Sequence, residues 1–386
     1  MGKKCIVLVA LFCCLCCAPS RADDKSNVID INGFSDSRHH WYHIYEAENV
    51  IDPSPNQPCY EPTQIKEIAD NILLYQKNNG GWPKNYDMRA ILTDEQKQKF
   101  IDAKDAACTT FDNSTTFSQI EYLAQAYKII KDEKYKDACI RGIDFTLSAQ
   151  YANGGWPQFF PLPSDYKRRI TFNDDAMVGI MKMLKNILDN KPYYSFLDSA
   201  RREKTNAAFD KGLDCIIKCQ IRDNDRLTVW CQQHDENDFS PTQGRAYELP
   251  SICNSESSGV VLFLMSLDNP SKEVVTAVES AVKWFEDSKI SSIRVETIDA
   301  PRVKYPLSVS TTDRIVVNDP NAPPIWARFY ELKTHRPLFA DRRGKELYSL
   351  AEVDRERRCG YRYYTYEPQE VLDKYPAWKK KIADGK

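Results

Sequence analysis

The chain has 386 residues, of which 42% are hydrophobic, and a formal net charge of −2 at pH 7. This length and apolar content suffice for one large domain or for two of ordinary size. The nearly balanced charge excludes a globally basic nucleic-acid-binding protein, so a polyanion would have to bind through a local basic cluster.

The first 22 residues have the composition of an export signal. Lys3 and Lys4 precede an apolar run over residues 5–17, and small residues precede a cleavage point at Ala22. The run is shorter than the ~20 residues that a spanning helix needs. We therefore predict a signal peptide over 1–22 and a secreted or periplasmic protein without a membrane anchor after processing. Lipidation of a cysteine in the run is a less favoured alternative. Removing this segment takes away three positive charges and no acids, which changes the net charge from −2 to −5.

A polar segment with scattered aromatic residues and prolines follows over 23–62, and we predict an irregular arm that lies over the main domain at 63–386. In the main domain, apolar residues recur at helical spacing. This spacing predicts helices at 65–76, 117–127, 140–151, 176–188, 209–219, 259–267 and 274–285. Extended segments are predicted at 291–297, 304–307 and 314–317.

One turn motif occurs twice, as NGGWPK at 79–84 and as NGGWPQ at 153–158. A predicted helix precedes each copy, and an acidic cluster and a second helix follow it. A less regular third copy runs from Gln220 to Trp230 and is followed by SESS at 255–258. Helical hairpins repeated about an axis bury their apolar faces against one another. We predict an all-α protein, an α/α toroid of about three helical hairpins with short irregular strands near the C-terminal part. An open helical solenoid is the alternative.

The acidic clusters contain two oxygen-bearing residues each, Asp112 with Asn113 and Asp174 with Asp175. Helix N-caps account for one acid in each cluster but not for the second residue. Carboxylates and an amide carbonyl that converge from neighbouring helices are hard oxygen ligands suited to calcium. Alternatively, two acids on facing helices are the acid and base of a glycoside hydrolase.

Basic and aromatic residues recur in and after the turns. The candidates are Lys84, Arg245, Tyr247, Arg328 and Arg336. Each alone is typical of a surface group or a structural ion pair. Together they suit an acidic carbohydrate, because arginine forks bind carboxylates bidentately and aromatic faces stack on sugar rings. Trp82 and Trp156 either stack in this way or are buried wedges that hold their turns.

Eight cysteines remain after the predicted cleavage, and an even number in an exported chain permits disulfides. They are Cys59, Cys108, Cys139, Cys215, Cys219, Cys231, Cys253 and Cys359. Cys215 and Cys219 have the spacing of one helical face, but no second Cys/His pair completes a zinc set. Structural thiols or disulfides are therefore predicted.

Five separated motifs resemble those of the pectate lyases of polysaccharide lyase family ten. In chain order they are NGGWPKNY at 79–86, FDN at 111–113, ITFNDDAM at 170–177, RAYELPS at 245–251 and IWARFYE at 325–331. The likeness runs from about residue 63 to near the C-terminus. It implies an α/α toroid, calcium dependence and eliminative cleavage of polygalacturonate.

The resemblance also implies roles for single residues. Asp112, Asn113 and Asp174 would hold Ca²⁺ directly or through the substrate carboxylate, with Asp175 a weaker ligand. An arginine is the Brønsted base in this family, and the likeness of THRP at 334–337 places it at Arg336. The other late arginines nearby in sequence are Arg328, Arg342 and Arg343. A neutral arginine needs strong electrostatic depression or an alkaline optimum, since the free group has a pKa above ~12.

Asp112 is expected to be catalytic together with Arg336, and substrate binding is assigned to Lys84, Arg245, Tyr247 and Arg328. The chain departs from the family pattern at His335, where Asn is usual, and in DRRG at 341–344, where an Asp more often precedes the glycine directly.

The leading hypothesis is an exported, calcium-dependent pectate lyase, expected to be monomeric, that acts by anti β-elimination and leaves 4,5-unsaturated oligogalacturonates. A hydrolase of uronic-acid oligosaccharides would instead use Asp112 and Asp174 as acid and base. A non-catalytic carbohydrate-binding toroid is the third hypothesis.

Overall fold

The computed structural model describes residues 28–44, 46, 49–306 and 309–385, so the predicted signal peptide lies outside the described residues. Within these residues the α-helices are α1 (Ser35–His43), α2 (Ile65–Tyr75), α3 (Asp94–Asp102), α4 (Phe117–Ile130), α5 (Glu133–Ser148), α6 (Ala176–Leu188), α7 (Ser199–Cys219), α8 (Asn254–Met265), α9 (Lys272–Asp287), α10 (Arg355–Gly360) and α11 (Glu367–Ala383). Every helix predicted from the spacing is present, with shifted ends.

The strands are two residues long, apart from two that form a hairpin. They are β1 (Ile170–Thr171), β2 (Arg222–Asp223), β3 (Arg226–Leu227), β4 (Gln233–His234), β5 (Ile252–Cys253), β6 (Ile293–Lys304), β7 (Val309–Asn318), β8 (Trp326–Ala327), β9 (Phe329–Tyr330), β10 (Pro337–Leu338) and β11 (Tyr364–Thr365). All pairs are antiparallel: β1 with β4, β2 with β3, β6 with β7, β8 with β11, and β9 between β5 and β10.

The helices stack as successive hairpins in two layers. α4, α6 and α8 contact one another in series, and α5, α7 and α9 form a second series outside them. α2 packs on α4 and α5, and α11 packs on α8 and α9. The apolar residues of α6 are not confined to one stripe, and the helix is buried on most sides. This burial is expected for an inner helix of a toroid. The predicted all-α toroid of helical hairpins is confirmed.

One buried tryptophan follows each of the helices α2, α5, α7 and α9, and its indole N–H donates to a carbonyl of that helix. The pairs are Trp82 with Ile72 at 2.7 Å, Trp156 with Thr146 at 2.8 Å, Trp230 with Ile216 at 2.7 Å and Trp326 with Phe285 at 2.8 Å. The structure thus adds a fourth copy to the three predicted units. Trp82 and Trp156 are fully buried, so they support their turns and do not present a face for sugar stacking.

The glycine turns bring each outer helix close to the next one. Gly80 and Gly154 both have a φ of +96°, a conformation open to glycine at little cost. A Cβ at Gly80 would lie 2.5 Å from the carbonyl oxygen of Arg141, and one at Gly154 would lie 2.0 Å from that of Lys211. The repeated glycine is therefore required both by the backbone conformation and by the close approach of the neighbouring helix.

The N-terminal arm is more regular than predicted, because it contains α1. Phe34 and Trp41 are buried in the main core, and the Trp41 indole donates to the carbonyl of Ile51 at 3.2 Å. Ser37 Oγ donates to the carbonyl of Asn113 at 3.1 Å. Tertiary packing stabilises this short helix, which has no apolar periodicity to reveal it in the sequence.

The extended segments predicted at 291–297 and 314–317 fall largely on β6 and β7, which pair as one hairpin. Of the segment predicted at 304–307, only Lys304 lies in a strand, because β6 ends there and position 307 lies outside the described residues. All eight cysteines of the described residues are free thiols, so the disulfide alternative is not realised.

In the part of the chain that the structure describes, no helix combines the length and apolar character needed to cross a membrane.

Candidate active site

The side chain two positions after each buried tryptophan binds an acidic side chain of the candidate site. These side chains are Lys84, Gln158, Gln232 and Arg328. Lys84 Nζ lies 2.7 Å from Asp112 Oδ2, and Gln158 Nε2 donates to Asp112 Oδ1 at 2.8 Å. The first two repeats therefore converge on one buried carboxylate.

Glu256 occupies the corresponding place for the last two repeats. Gln232 Nε2 donates to Glu256 Oε1 at 3.0 Å, and Arg328 Nη2 binds the same oxygen. Gln232 also donates to Asn173 Oδ1 at 2.8 Å, and the Asn173 amide in turn binds the Asp174 carboxylate. Hydrogen bonds thus connect the Glu256 corner to the second acidic cluster.

The carboxyl groups of Asp112 and Asp174 are close enough to shift each other's protonation, and their pKa values move in opposite directions. Burial alone would raise the pKa of Asp112, but the charge and hydrogen bond of Lys84, with help from Gln158, lower it to about 2. Burial and the charge of Asp112 hold the pKa of Asp174 well above its ordinary value. The site therefore contains one carboxylate that direct hydrogen bonds stabilise and one whose ionisation the charges of Arg245 and Arg328 favour only in part.

The other two residues of the acidic clusters have different partners from this pair. Asn113 donates its amide to Asn85 Oδ1 at 2.7 Å, which leaves its own carbonyl oxygen as the available ligand atom. Asp175 lines a pocket of about 570 Å³ together with Asp174, and the charges of Lys182, Glu256 and Glu367 act on it. The pocket walls still reduce its hydration, which raises its pKa. Both residues have positive φ, as does Asp174.

Arg245 and Arg328 supply positive charge next to Asp174. Arg245 Nε donates to Glu248 Oε2 at 2.9 Å, whereas Arg328 binds Glu256. The two guanidinium groups lie 5.8 and 4.6 Å from the centre of the Tyr361 ring. Burial alone lowers both arginine pKa values, but the paired glutamates more than offset it and raise them, so both groups are permanent cations.

Tyr247 is buried beneath three guanidinium groups. Arg245 and Arg357 each lie 5.0 Å from the centre of its ring, and Arg342 lies 5.6 Å from it. The predicted substrate-binding tyrosine therefore acts first as a surface on which the arginines pack. Arg342 is half-exposed and forms a two-pronged ion pair with Glu356, at 3.0 and 3.1 Å.

Arg336, the predicted base, lies at the turn between β9 and β10. Its guanidinium stacks over Tyr348 at 3.9 Å. Its backbone bonds to Thr334 and Glu331, and Glu331 in turn binds the Tyr348 hydroxyl at 2.7 Å. Within the described residues, none of its contacts reaches Asp112 or Asp174.

Several residues of the site were not predicted from the sequence. They are Gln158, Gln232, Glu248, Glu256 and Tyr361. The first two were detectable, because the sequence has a basic or amide side chain at the same offset from each of the four tryptophans. Glu248 and Tyr361 come from irregular segments, and no periodic signal points to them.

Comparison with known proteins agrees with this geometry. The family model for pectic acid lyase matches residues 76–372. A family 10 polysaccharide lyase from Cellvibrio cellulosa has 28% identity and a TM-score of 0.68, covering 90% of this chain and 97% of that chain. A mutant family 10 polysaccharide lyase from the same organism, in complex with trigalacturonic acid, has 31% identity and a TM-score of 0.68, covering 80% of this chain and 91% of that chain. Curated protein sequences give no match. The chain belongs to the pectic acid lyases and is a pectate lyase of polysaccharide lyase family ten.

Proposed function

We propose that the protein is an exported, calcium-dependent pectate lyase that cleaves polygalacturonate by anti β-elimination. The observation that carries this proposal is the electrostatically coupled pair of Asp112, which is buried, and Asp174, which is partly buried, with cationic side chains of three repeats around it. A polyuronate presents one carboxylate per sugar, and an elimination needs stabilisation of negative charge on that group. Permanent cations next to a carboxylate pair that can bind a metal ion would provide this stabilisation of negative charge.

The residues present fit a calcium ion. Asp112 and Asp174 offer carboxylate oxygens, and Gln158 Oε1 is a buried carbonyl oxygen without a hydrogen-bond partner among the described residues. Calcium prefers such hard oxygen ligands. No group of three or more His, Cys, Asp or Glu side chains within the described ranges is arranged to hold a metal, so the substrate carboxylate is expected to complete the ligand set. Calcium, when bound, would withdraw electron density from that carboxylate.

The chemistry begins at C5 of the sugar, whose hydrogen is α to the C6 carboxylate. When a base removes this proton, negative charge develops on the carboxylate, and the C4–O bond then breaks to leave a 4,5 double bond. Arg245 and Arg328 are held as cations and are therefore suited to bind the charged group. Arg328 Nε is buried without a partner among the described residues, so it retains a donor for an anion.

Two arginines remain as candidates for the base. Arg336 was placed by resemblance, but its contacts lie on the Tyr348 surface. Arg342 and Arg245 both pack on the Tyr247 ring. The charge of Arg245 in turn acts on Asp174. We infer that Arg342 is the better placed of the two. Because a guanidine gives up its proton only at high pH, the enzyme should be most active under alkaline conditions.

The reaction is tested by incubating the mature protein with polygalacturonate, with and without a calcium chelator. Eliminative cleavage produces near-ultraviolet absorbance and new reducing ends together, and chelation should abolish both. Reducing ends without absorbance would identify a hydrolase. Retained polymer binding with neither signal would identify a carbohydrate-binding toroid.

The base is tested by comparing Arg342→Lys with Arg336→Lys. Loss of a general base costs about 10²–10⁴-fold in rate, so Arg342→Lys should lower kcat by that factor while Arg336→Lys stays within about threefold of wild type. The reverse pattern would return the base to Arg336. Circular dichroism of both variants checks that the fold is intact.

A further inference from the structure

The β6–β7 hairpin is an addition to the fourth repeat. The chain interval from Trp82 to Trp156 equals that from Trp156 to Trp230, whereas Trp326 follows after a longer interval that contains this hairpin. The hairpin leaves the chain between the end of α9 and Trp326, which is where the first two repeats have their glycine turns. The added segment therefore starts from the same end of the toroid as the carboxylate site.

Side chains of α10 fix the hairpin in place. Arg358 pairs with Asp313 of β7 at 2.8 Å. Arg355 donates to the carbonyls of Thr312 and Pro301 at 3.0 and 2.8 Å, so it contacts both strands. Arg314 of β7 donates back to the carbonyl of Tyr361 at 3.0 Å. These contacts make the hairpin a fixed wall of the molecule.

A pocket of about 430 Å³ lies between the end of β6 and α10. This volume falls within the range of roughly 300–1,000 Å³ that is typical of small-ligand sites. Its lining includes Tyr305 and Pro306, which follow the end of β6, and the three arginines Arg342, Arg355 and Arg357. Tyr305 is only half-buried. The pocket lining thus combines an aromatic ring with three guanidinium groups.

The charges in this pocket favour an anion. Glu356 bridges Arg342 and Arg357, with distances of 3.0 and 2.6 Å, and so holds both forks in position. Arg355 binds only carbonyl groups, and no carboxylate of the described residues forms an ion pair with it. Asp354 is the other acid in the lining, and it lies 3.7 Å from Arg343. A carboxylate that entered would meet a guanidinium group whose charge is not already paired.

The pocket adjoins the candidate active site through Arg342. This side chain lines the pocket and also packs on Tyr247, where it meets Arg245. Arg342 therefore links the pocket to Arg245, whose charge acts on Asp174.

We propose that the pocket beneath the β6–β7 hairpin is an additional uronate subsite, in which Tyr305 packs on a sugar ring and Arg355 binds its carboxylate. The proposal rests on the proposed polygalacturonate-cleaving function. It makes the hairpin a determinant of chain length, because only a substrate long enough to extend beyond the reacting unit gains these contacts.

The test compares Tyr305→Ala and Tyr305→Phe with wild type on trigalacturonate and on hexagalacturonate. An aromatic contact of this kind is worth about five- to tenfold in affinity. Tyr305→Ala should lower kcat/KM for the hexamer by that factor, mainly through KM, and should leave the trimer within about twofold. Tyr305→Phe keeps the ring and should resemble wild type on both.

Equal kcat/KM values of Tyr305→Ala and wild type on the hexamer would overturn the subsite, and so would equal losses on the two substrates. If wild type forms no unsaturated product, the proposed reaction fails, and calorimetric binding then decides the subsite separately. In that case hexagalacturonate should bind wild type about five- to tenfold more tightly than Tyr305→Ala. Equal binding would refute the subsite.

Discussion

The first two repeats build the same turn but give their carboxylates different surroundings. Asp112 receives hydrogen bonds from Lys84 and Gln158. Asp174 receives one from Asn173, its neighbour in sequence, and the charge of Asp112 opposes its ionisation. The two turns and their tryptophans make equivalent contacts. We therefore attribute the difference to the residue that follows each turn, Lys84 after the first and Gln158 after the second.

This comparison explains how a repeated scaffold acquires a site. A lysine after the first turn stabilises one carboxylate in its ionised form. The corresponding glutamine after the second turn also binds Asp112, so Asp174 has no cationic side chain within ion-pair distance among the described residues. A carboxyl group in that state ionises less readily, and a cation bound from outside the chain would favour its ionised form. The asymmetry between the repeats thus supports the calcium site that is proposed at this pair.

The strongest test of the comparison is Asp174→Asn. We expect kcat/KM to fall about 10³-fold, because a charged ligand at the reacting carboxylate is lost. Stability at pH 7 should stay equal or rise. A carboxyl group whose pKa is raised on folding weakens the folded state above its ordinary pKa, and the amide removes that penalty. Urea unfolding together with the absorbance assay measures both effects.

Asp175→Asn is the matched control, since it removes the adjacent carboxylate, which faces Lys182 and not Asp112. Its loss of activity should be about tenfold or less. Similar losses in the two variants would show that the acids act as one cluster and that the contrast drawn between the repeats is wrong.

The next largest effect is expected for Lys84→Gln, which gives the first turn the ending of the second. The pKa of Asp112 should then rise from about 2 toward its ordinary value. A carboxyl group with a depressed pKa contributes stability above the unfolded pKa of ~3.9, and this contribution disappears as the pH falls toward 2. The variant should therefore lose about 2 kcal/mol at pH 7 and less at pH 3, with about a tenfold loss of activity.

Lys167→Gln provides the control for this experiment. Lys167 and Lys84 both lie over the Phe159 ring, at 5.2 and 5.8 Å, but Lys167 is 3.6 Å from the exposed Asp165. An exposed pair of this kind contributes about 0–1 kcal/mol. A stability loss for Lys84→Gln that is the same at pH 7 and pH 3 would contradict the role assigned to its charge.

The helical repeat could be predicted from the sequence because the features that specify it are local. Glycines in a strained turn and apolar residues at helical spacing leave a readable pattern. α1 has no such pattern, and tertiary burial of Phe34 and Trp41 determines it. The fourth repeat was hidden because the hairpin separates α9 from Trp326 and no Gly-Gly pair marks the turn.

Less of the candidate site than of the fold could be predicted from the sequence. Asp112, Asp174, Lys84, Arg245 and Arg328 were named from the sequence, and the structure places them around one another. Their partners were not named: Glu248 pairs with Arg245 three residues earlier in the same motif, whereas Glu256 pairs with Arg328 across a sequence separation of 72, which leaves no spacing signal. The arginine base and the calcium ligands remain predictions.

The smallest effect tests the part of the comparison in which the two repeats are equivalent. Trp82→Phe and Trp156→Phe each remove an indole donor, at 2.7 and 2.8 Å from helix carbonyls, and leave a small cavity. Both variants should lose about 1–2 kcal/mol of unfolding free energy, equal within about 0.5 kcal/mol, and keep kcat/KM within about threefold. Urea unfolding and the absorbance assay give the two values. A selective loss of activity in Trp82→Phe would mean that the first turn positions Lys84 more tightly than the second turn positions Gln158. The two turns would then differ in their effect on the site, and not only in the residue that follows them.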